Sequence, residues 1–342
     1  MICISQVFRF VEVRSFPLAN CVTGLLPQNP ANGYRSESRY SVSKKMLAMH
    51  CLKFLLFSIL FIAAAISARA QTAAKSLVEK LGHSRDTKLL IVHADDLGEA
   101  HSVNAASIKA LESGAVNSAS IMVPCPWFPE IADYAKSHPE VDFGLHLTLT
   151  SERTYYRWGP VASADKVRSL LDENGYLHHD WTPTTHIDPH EAELELRAQI
   201  ERAYVMGVRP THLDSHQYRL DSFFVTRDWF ADHPYLASAL GPNDVVIDHT
   251  ITIEPNVPPE KWPDFYKNAL RNLQPGVTEL VIHLAYDDTE MRAATRERET
   301  WGAAWRQRDF DFFTSPEFRQ LLSEQNIKLI TWREIANPSQ HN

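Results

Sequence analysis

Cysteine is scarce in this sequence. The chain has 342 residues but only four cysteines, and Cys3, Cys21 and Cys51 stand near its amino terminus. Cys125 alone lies beyond residue 70, so that part of the chain cannot form an internal disulfide. Its stability must come from a hydrophobic core, and the ~270 residues after residue 70 are enough to bury one.

An excess of positive charge is also absent. The chain carries 34 Lys and Arg against 42 Asp and Glu, a formal net charge of −8. Nucleic-acid-binding domains usually present a basic patch to the phosphates, so this balance argues against a nucleic-acid partner. The 44% hydrophobic residues are ordinary for a soluble globular protein. The 16 histidines are more than usual and draw attention to metal chemistry.

No apolar run is long enough to span a bilayer easily. The longest, residues 54–66, follows Lys53 and is shorter than the ~20 residues that a membrane helix needs. It is followed by Ala68-Arg69-Ala70, and this order of basic start, short apolar run and Ala-x-Ala end is typical of a secretory signal peptide. We therefore expect cleavage after Ala70, a periplasmic or secreted protein, and no stable membrane association after cleavage. An uncleaved membrane anchor is the alternative.

The position of this segment predicts how the chain is organised. Signal peptides begin near the start methionine, but this run begins beyond residue 50, so we expect Met46 or Met49 to be the true start. The predicted divisions are a non-native extension (1–45), a signal peptide (46–70), a flexible lead-in (71–87) and one domain (88–337).

From residue 88 onward, short apolar runs alternate with helical patterns. The run Leu89-Leu90-Ile91-Val92 is typical of a strand buried on both faces. Further strands are predicted at 116–123, 141–147, 208–214, 245–248, 279–284 and 327–331, and helices at 102–113, 128–137, 188–207 and 315–324. The helix at 188–207 begins with the capping-box pattern of an N-cap Asp188, a first-turn Pro189 and Glu191 three residues after the cap. About seven strand–helix units predict a parallel sheet with right-handed crossovers that forms a closed or distorted (β/α) barrel more than an open sheet.

Four of these strands carry Asp or His at their carboxyl ends. The residues are His93, Asp95 and Asp96; His146; His212, Asp214 and His216; and His283. Active sites of parallel α/β folds form at this edge of the sheet. Taken singly, an Asp after a strand can be a helix cap and a His in an apolar strand a hydrogen-bonded core residue. The joint pattern is what predicts a site.

Five stretches of the chain resemble the motifs of one family. They are IVHADDLG (91–98) with VN at 103–104, GAVNSASIM (114–122), GLHLTLT (144–150), PTHLDSHQ (210–217) and GVTELVIH (276–283). Together they resemble the YdjC-type carbohydrate deacetylases, which include the chito-oligosaccharide deacetylases. The resemblance extends over roughly residues 88–336.

The resemblance implies a distorted barrel of the polysaccharide-deacetylase type and a role for each matching residue. It implies that Asp96, His146 and His216 bind one divalent metal ion, with zinc or magnesium expected first and cobalt or nickel also compatible. Asp95 would be the general base, and His283 would lie near the leaving group. The implied substrate is an N-acetylated saccharide of the chito-oligosaccharide kind.

The chain departs from the family pattern at three places. Tyr218 stands where the family usually has a second histidine, and we assign it to substrate binding. Leu284-Ala285 replace a Pro-Gly pair after His283. His93 stands where the family often has Asn, and we interpret it as a supporting or structural residue. These departures bear on substrate preference and on the role of His283.

The long polar stretch from Thr150 to about Pro189 is the second candidate for substrate binding. Loops of this length inside a compact domain are usually functional or disordered. This one is rich in aromatic residues, and we predict that Trp158 and Trp181 stack on sugar rings. Ordinary loop packing is the alternative.

The predicted reaction is hydrolysis of an N-acetyl group, with Asp95 taking the proton of a metal-activated water and His283 donating to the sugar amine. A non-haem iron oxygenase also uses two His and a carboxylate, but usually on a β-sandwich barrel. A non-catalytic glycan-binding protein on a deacetylase scaffold, or a metal hydrolase of another acylated amine or ester, would also be compatible with these residues. A homo-oligomer is left open.

Overall fold

One parallel sheet organises the chain. The structure, a computed structural model, describes residues 75–180, 182, 185–216, 247–296 and 298–336. The strands in these ranges are β1 (Lys88–Leu97), β2 (Ser118–Ile121), β3 (Phe143–Leu147), β4 (Leu213–Ser215), β5 (His249–Thr252), β6 (Gly276–Ile282) and β7 (Ile327–Leu329). Their order is β4-β3-β2-β1-β6-β5, and β7 pairs with the first residues of β1. All pairings between these strands are parallel.

The sheet is strongly curled. A side chain of β1, His93, contacts Asp214 of β4 although β2 and β3 lie between the two strands. Such a contact requires a concave face. In the part of the chain that the structure describes, β4 and β5 end the strand order without pairing with each other. The sheet is therefore a curled half-barrel with helices around it, which confirms the distorted barrel of the polysaccharide-deacetylase type.

Helices follow most of the strands and cover the outside of the sheet. The described residues form α1 (Leu77–Lys80), α2 (His101–Glu112), α3 (Phe128–Ser137), α4 (Pro189–Val205), α5 (Trp262–Arg271), α6 (Thr289–Ala294), α7 (Ala303–Phe313), α8 (Pro316–Glu324) and α9 (Trp332–Ala336). Asp188 caps α4 through the amide of His190, as its sequence predicts. Glu191, expected to bond back to the cap, instead accepts from the amide of Ser169.

The central strand separates two hydrophobic clusters. Because successive side chains of a strand point to opposite faces, Leu90 and Val92 join the large core beneath the helices, while Leu89 and Ile91 join a smaller cluster. Val78 of α1 is part of that smaller cluster and is buried. The described part of the predicted lead-in thus contains a short helix. The hydroxyl of Ser76 accepts from the amide of Glu79, and the carboxylate of Glu79 accepts from the amide of Ser76.

Several predicted boundaries differ from the structure. Of the strand predicted at 245–248, residues 245 and 246 lie outside the described residues, and the strand of the structure, β5, begins at His249. The strand predicted at 208–214 is reduced to β4. Helices α5, α6 and α7 were not predicted at all. In α7 the charged residues Arg306 and Asp309 lie on the buried face and weaken the apolar period. Helix α5 does carry an apolar stripe, with Trp262, Tyr266 and Leu270 at helical spacing, and this pattern was overlooked.

The part of the chain before residue 75 lies outside the described residues, and so do the predicted extension and signal peptide. In the ranges described here, no helix combines the length and the apolar character that a membrane span requires. Cys125 is buried and free.

Candidate active site

Three buried side chains converge at the carboxyl edge of the sheet. Asp96 lies near the end of β1, His146 lies in β3, and His216 directly follows β4. Oδ1 of Asp96 is 3.4 Å from Nε2 of His146 and 3.3 Å from Nδ1 of His216. The residues are 2%, 2% and 6% exposed. The structure thus brings together the three residues that the sequence assigned to a metal, and their ligand atoms lie within 4.8 Å of one another.

The donor set fits a divalent cation. Oδ1 of Asp96 is buried and has no hydrogen-bond partner, although an unpaired buried carboxylate oxygen is costly. Each of the two imidazoles turns one ring nitrogen to this oxygen and pairs the other with a carboxylate. Nδ1 of His146 lies 2.8 Å from Asp214, and Nε2 of His216 lies 3.0 Å from Glu152. One oxygen and two ring nitrogens with open coordination positions are typical of a catalytic metal site.

The backbone at Asp96 is unusual. Its φ is 70°, in the left-handed region, which Asp tolerates better than bulky residues. The register between β1 and β2 also shifts between Ala94 and Leu97. This irregularity breaks the strict alternation of side chains, so that Asp95 and Asp96 both reach the concave edge although they are neighbours.

The charges around the cluster favour a cation. Burial alone would raise the pKa of Asp96, but the charge of Arg306 and the nearby imidazoles of His146 and His216 hold that pKa well below its usual range. Burial would lower the pKa of His216, but the charge of Glu152, which also pairs with its Nε2, and the nearby carboxylate of Asp96 raise it to about 9. Imidazoles whose carboxylate neighbours stabilise positive charge are placed to exchange a proton for a metal ion.

Arg306 is a functional residue that the sequence did not reveal. It projects from α7, is 1% exposed, and its Nη2 lies 2.7 Å from Oδ2 of Asp96. Its Nε donates to the carbonyl of Trp301 over 2.9 Å. The one signal in the sequence is that Arg306 and Asp309 fall on the same helical face as the apolar residues Trp305 and Phe313 of α7. Charged side chains on a buried helix face are usually paired with an oppositely charged or hydrogen-bonding group.

Asp95 lies beside the cluster and faces it. Its Oδ2 is 3.9 Å from Nε2 of His146 and 3.9 Å from Nε2 of His283. Its Oδ1 is 3.1 Å from Nε2 of His93. Asp95 is therefore near the candidate metal ligands without approaching them as closely as Asp96 does, which is the arrangement expected of a general base.

His283 stands on the other side of Asp95. Its backbone amide donates to Asp309, and its Nδ1 is buried without a hydrogen-bond partner. Burial lowers the pKa of His283. Burial also raises the pKa of Asp309, to about 6, although Trp262 and Tyr266 both donate to it. An imidazole with a lowered pKa gives up a proton readily once it has received one.

The cluster opens into a cavity of about 640 Å³. This volume is in the range of small-molecule sites. Asp95, Asp96, His146, His216 and His283 all line it. Its other lining residues are Glu152, Arg153, His179, Asp180, Ser215, Thr252, Ile253, Glu254, Pro255, Arg298, Trp301 and Arg306.

The predicted aromatic residues have different outcomes. Trp158 is 3% exposed, its indole N–H donates to the carbonyl of Thr150 over 2.9 Å, and its ring lies 6.5 Å from the ring of His216. A ring buried in this way packs behind His216 and offers no open face to a sugar. Trp181 and Tyr218 lie outside the described residues. Among the described residues, the tryptophan that lines the cavity is Trp301, which the sequence did not single out.

The polar stretch that contains Trp158 is folded on the core. Val167, Leu170 and Leu177 are fully buried, and an antiparallel bridge joins Leu171 to Leu177. Two single turns, Ala164–Lys166 and Arg168–Leu170, lie within it. The stretch also supplies Glu152 and Arg153 to the cavity.

The curled parallel half-barrel and its acid–imidazole cluster define a polysaccharide-deacetylase type of fold with a candidate metal centre. The chain belongs to the YdjC-like family: the family model described as "YdjC-like protein" matches residues 89–233 and 242–324. This confirms the family predicted from the five motifs.

Relatives named "Carbohydrate deacetylase" match most of the chain. The one from Geobacillus stearothermophilus is 30% identical over 257 residues, which covers 72% of this chain and 97% of the relative. The one from Thermoanaerobacter pseudethanolicus is 27% identical over 257 residues, 72% of this chain and 98% of the relative. A crystal structure from Enterococcus faecalis V583, described as a candidate cellobiose-phosphate cleavage protein, has a TM-score of 0.56 and 23% sequence identity. The match covers 73% of this chain and 99% of that protein. That likeness supports the fold.

Proposed function

We propose that this protein is a metal-dependent carbohydrate deacetylase that hydrolyses the N-acetyl group of chito-oligosaccharide-like sugars. The observation that carries the proposal is the unpaired, buried Oδ1 of Asp96, which faces Nε2 of His146 and Nδ1 of His216 at the wall of the cavity. The family membership and the deacetylase relatives support the same chemistry.

Asp96, His146 and His216 would hold one divalent ion. Such an ion supplies an activated water and polarises the acetyl carbonyl when it is bound. The donor set of one carboxylate and two imidazoles suits zinc, and magnesium, cobalt or nickel are compatible with it. Arg306 holds Oδ2 of Asp96, so that Oδ1 remains directed at the two imidazoles.

Asp95 and His283 divide the proton transfers. Asp95 accepts the proton of the attacking water, because its Oδ2 faces the cluster. His283 lies 3.9 Å from that same oxygen, a distance that a small movement or one water molecule bridges. The lowered pKa of His283 makes its protonated form a strong acid, which suits donation to a departing amine. Each of these roles is typically worth ~10²–10⁴ in rate.

The decisive experiment is an acetate-release screen over N-acetylated mono- and oligosaccharides, with and without a chelator. We expect chelator-sensitive release from N-acetylated sugars, and loss of both bound metal and activity in Asp96→Ala, His146→Ala and His216→Ala. His190→Ala, which changes an exposed histidine, is the matched control and should keep both.

A different function would give a different result in the same screen. Sugar binding without acetate release would indicate a glycan-binding protein. Release from acetyl esters or non-sugar amides alone would keep the metal hydrolysis and change the substrate. Full metal content in any two of the three ligand variants would contradict the assigned triad.

A further inference from the structure

His93 occupies the middle of the site although neither the assigned ligands nor the assigned proton carriers include it. It is fully buried in β1, three residues before Asp96, and points to the concave face. Its Nε2 lies 2.9 Å from Oδ2 of Asp214 and 3.1 Å from Oδ1 of Asp95. Its Nδ1 lies 2.9 Å from the hydroxyl of Ser118. One imidazole nitrogen thus faces two carboxylates.

Asp214 connects His93 to a candidate metal ligand. The register of β3 and β4 places His146 opposite Asp214, and Nδ1 of His146 lies 2.8 Å from Oδ1 of Asp214. An ionised carboxylate only accepts hydrogen bonds, so both nitrogens that face Asp214 must carry a proton. His146 is then protonated on Nδ1, which leaves the lone pair of its Nε2 directed at Asp96.

The same nitrogen of His93 also lies beside Asp95. Oδ1 of Asp95 is 3.1 Å from Nε2 of His93 and accepts from the hydroxyl of Ser120, which itself lies 3.1 Å from that nitrogen. Oδ2 of Asp95 is thus the oxygen that faces His146 and His283. Without an N–H on Nε2 of His93, an oxygen of Asp95 and an oxygen of Asp214 would lie around the same small space with only the hydroxyl of Ser120 left to separate them. Buried like charges repel strongly at such distances, and one carboxylate would rotate away.

We infer that His93 is a positioning residue that holds the general base Asp95 and, through Asp214, the metal-binding His146 in a single arrangement. The inference rests on the proposed deacetylation. His93 itself touches neither substrate nor metal, and it acts on two groups that do. His93, which stands where the family often has Asn, therefore lies inside the candidate site.

The test uses two substitutions of His93 and one matched control. His93→Phe keeps the shape of the ring and removes both nitrogens. His93→Asn keeps one amide N–H, which can reach a carboxylate. His212→Asn is the control for packing, because the ring of His212 lies 5.1 Å from that of His93, while its Nδ1 pairs with Thr211 and its Nε2 has no partner. The readouts are the Kd for Zn²⁺ by chelator competition, kcat and KM on a chito-oligosaccharide, and Tm.

We expect His93→Phe to weaken Zn²⁺ binding about tenfold and to lower kcat by roughly 10–100-fold with KM within about twofold, since loss of a residue behind a metal ligand typically has effects of this size. His93→Asn should recover part of the kcat, and His212→Asn should leave kcat and Kd within about threefold. In an Asp214→Asn background, His93→Phe should weaken Zn²⁺ binding no further, because the path to His146 is already broken.

Wild-type kcat and Zn²⁺ affinity in His93→Phe would overturn the inference. Equal losses in His93→Phe and His212→Asn would do the same, since they would indicate packing alone. If His93→Phe fails to fold, His93→Asn decides: its Kd and kcat must fall between those of the wild type and those of Asp214→Asn. If the wild type releases no acetate from any sugar, the proposed function fails, while the Zn²⁺ measurements still decide the connection through Asp214.

Discussion

Replacing Arg306 by methionine tests whether the metal-binding carboxylate depends on a second, permanent cation. Arg306 is 1% exposed, and its Nη2 lies 2.7 Å from Oδ2 of Asp96 and 3.4 Å from Oε2 of Glu99. Methionine retains most of the length and apolar volume of arginine. It removes the positive charge and leaves Asp96 as a buried anion, while Glu99 keeps its ion pair with Arg153.

The distance sets the scale of the effect. Two unit charges 2.7 Å apart attract each other by roughly 6 kcal/mol at an effective dielectric constant of 20. Removing one partner of a buried pair typically costs about 3–5 kcal/mol, because the other charge stays buried. We therefore expect the free energy of unfolding of the metal-free protein to fall by about 3–5 kcal/mol and Tm to fall by roughly 6–20 °C.

Thermal unfolding in EDTA and in excess Zn²⁺ measures this prediction. A cation bound at Oδ1 of Asp96 replaces part of the lost charge, so the difference between variant and wild type should shrink by at least half in Zn²⁺. Arg319→Met, which changes an exposed arginine of α8, is the control and should shift stability by less than about 0.5 kcal/mol. A loss below about 1 kcal/mol in EDTA, or the same loss with and without Zn²⁺, would refute the reasoning.

Four further predictions concern the base, the buried tryptophan, pH and export. Asp95→Asn should retain Zn²⁺ and lose most hydrolysis, because it removes a proton acceptor and no ligand; wild-type turnover would exclude Asp95 from the mechanism. Trp158→Ala should lower the free energy of unfolding by about 3–5 kcal/mol in urea titrations, because a buried aromatic side chain leaves a cavity, whereas weaker sugar binding at unchanged stability would contradict its placement in the core. Below pH about 9, the raised pKa of His216, a proton competes with Zn²⁺ for its imidazole, so Zn²⁺ affinity should increase by up to about tenfold per pH unit as pH rises toward that value. Chelator competition measures this affinity, and a flat profile between pH 6 and 9 would contradict the prediction. N-terminal sequencing of protein from its native host should find Gln71 first; a start at Met1 or Met46 would argue against cleavage and export.

The sequence predicted those strands and helices whose formation depends on a few adjacent residues. The apolar run of β1 and the Asp188-Pro189 start of α4 are examples, since each depends on a few adjacent residues. Helix α7 was missed because its buried face includes Arg306 and Asp309, which interrupt the apolar period. Helix α1 was interpreted as a flexible lead-in because four helical residues give too short a pattern, although Val78 packs beneath the sheet.

The sequence alone determined which residues reach the carboxyl edge of the sheet. Parallel strands end at the same edge, so an Asp or His at the end of a strand is placed there by the strand order itself, and Asp96, His146, His216 and His283 follow from that rule. Asp95, the neighbour of Asp96, reaches the same edge because the register between β1 and β2 shifts at this point. The placement of Trp158 did not follow, because a residue in an irregular stretch has no period from which its burial can be inferred.

Only the tertiary structure decided what each of these residues contacts. Arg306 reaches Asp96 across 210 positions of the chain, and Asp214 reaches His93 across 121. Both contacts depend on the curl of the sheet and on the packing of α7 against it. Those features arise from the sum of many side-chain contacts, so no short stretch of sequence contains them.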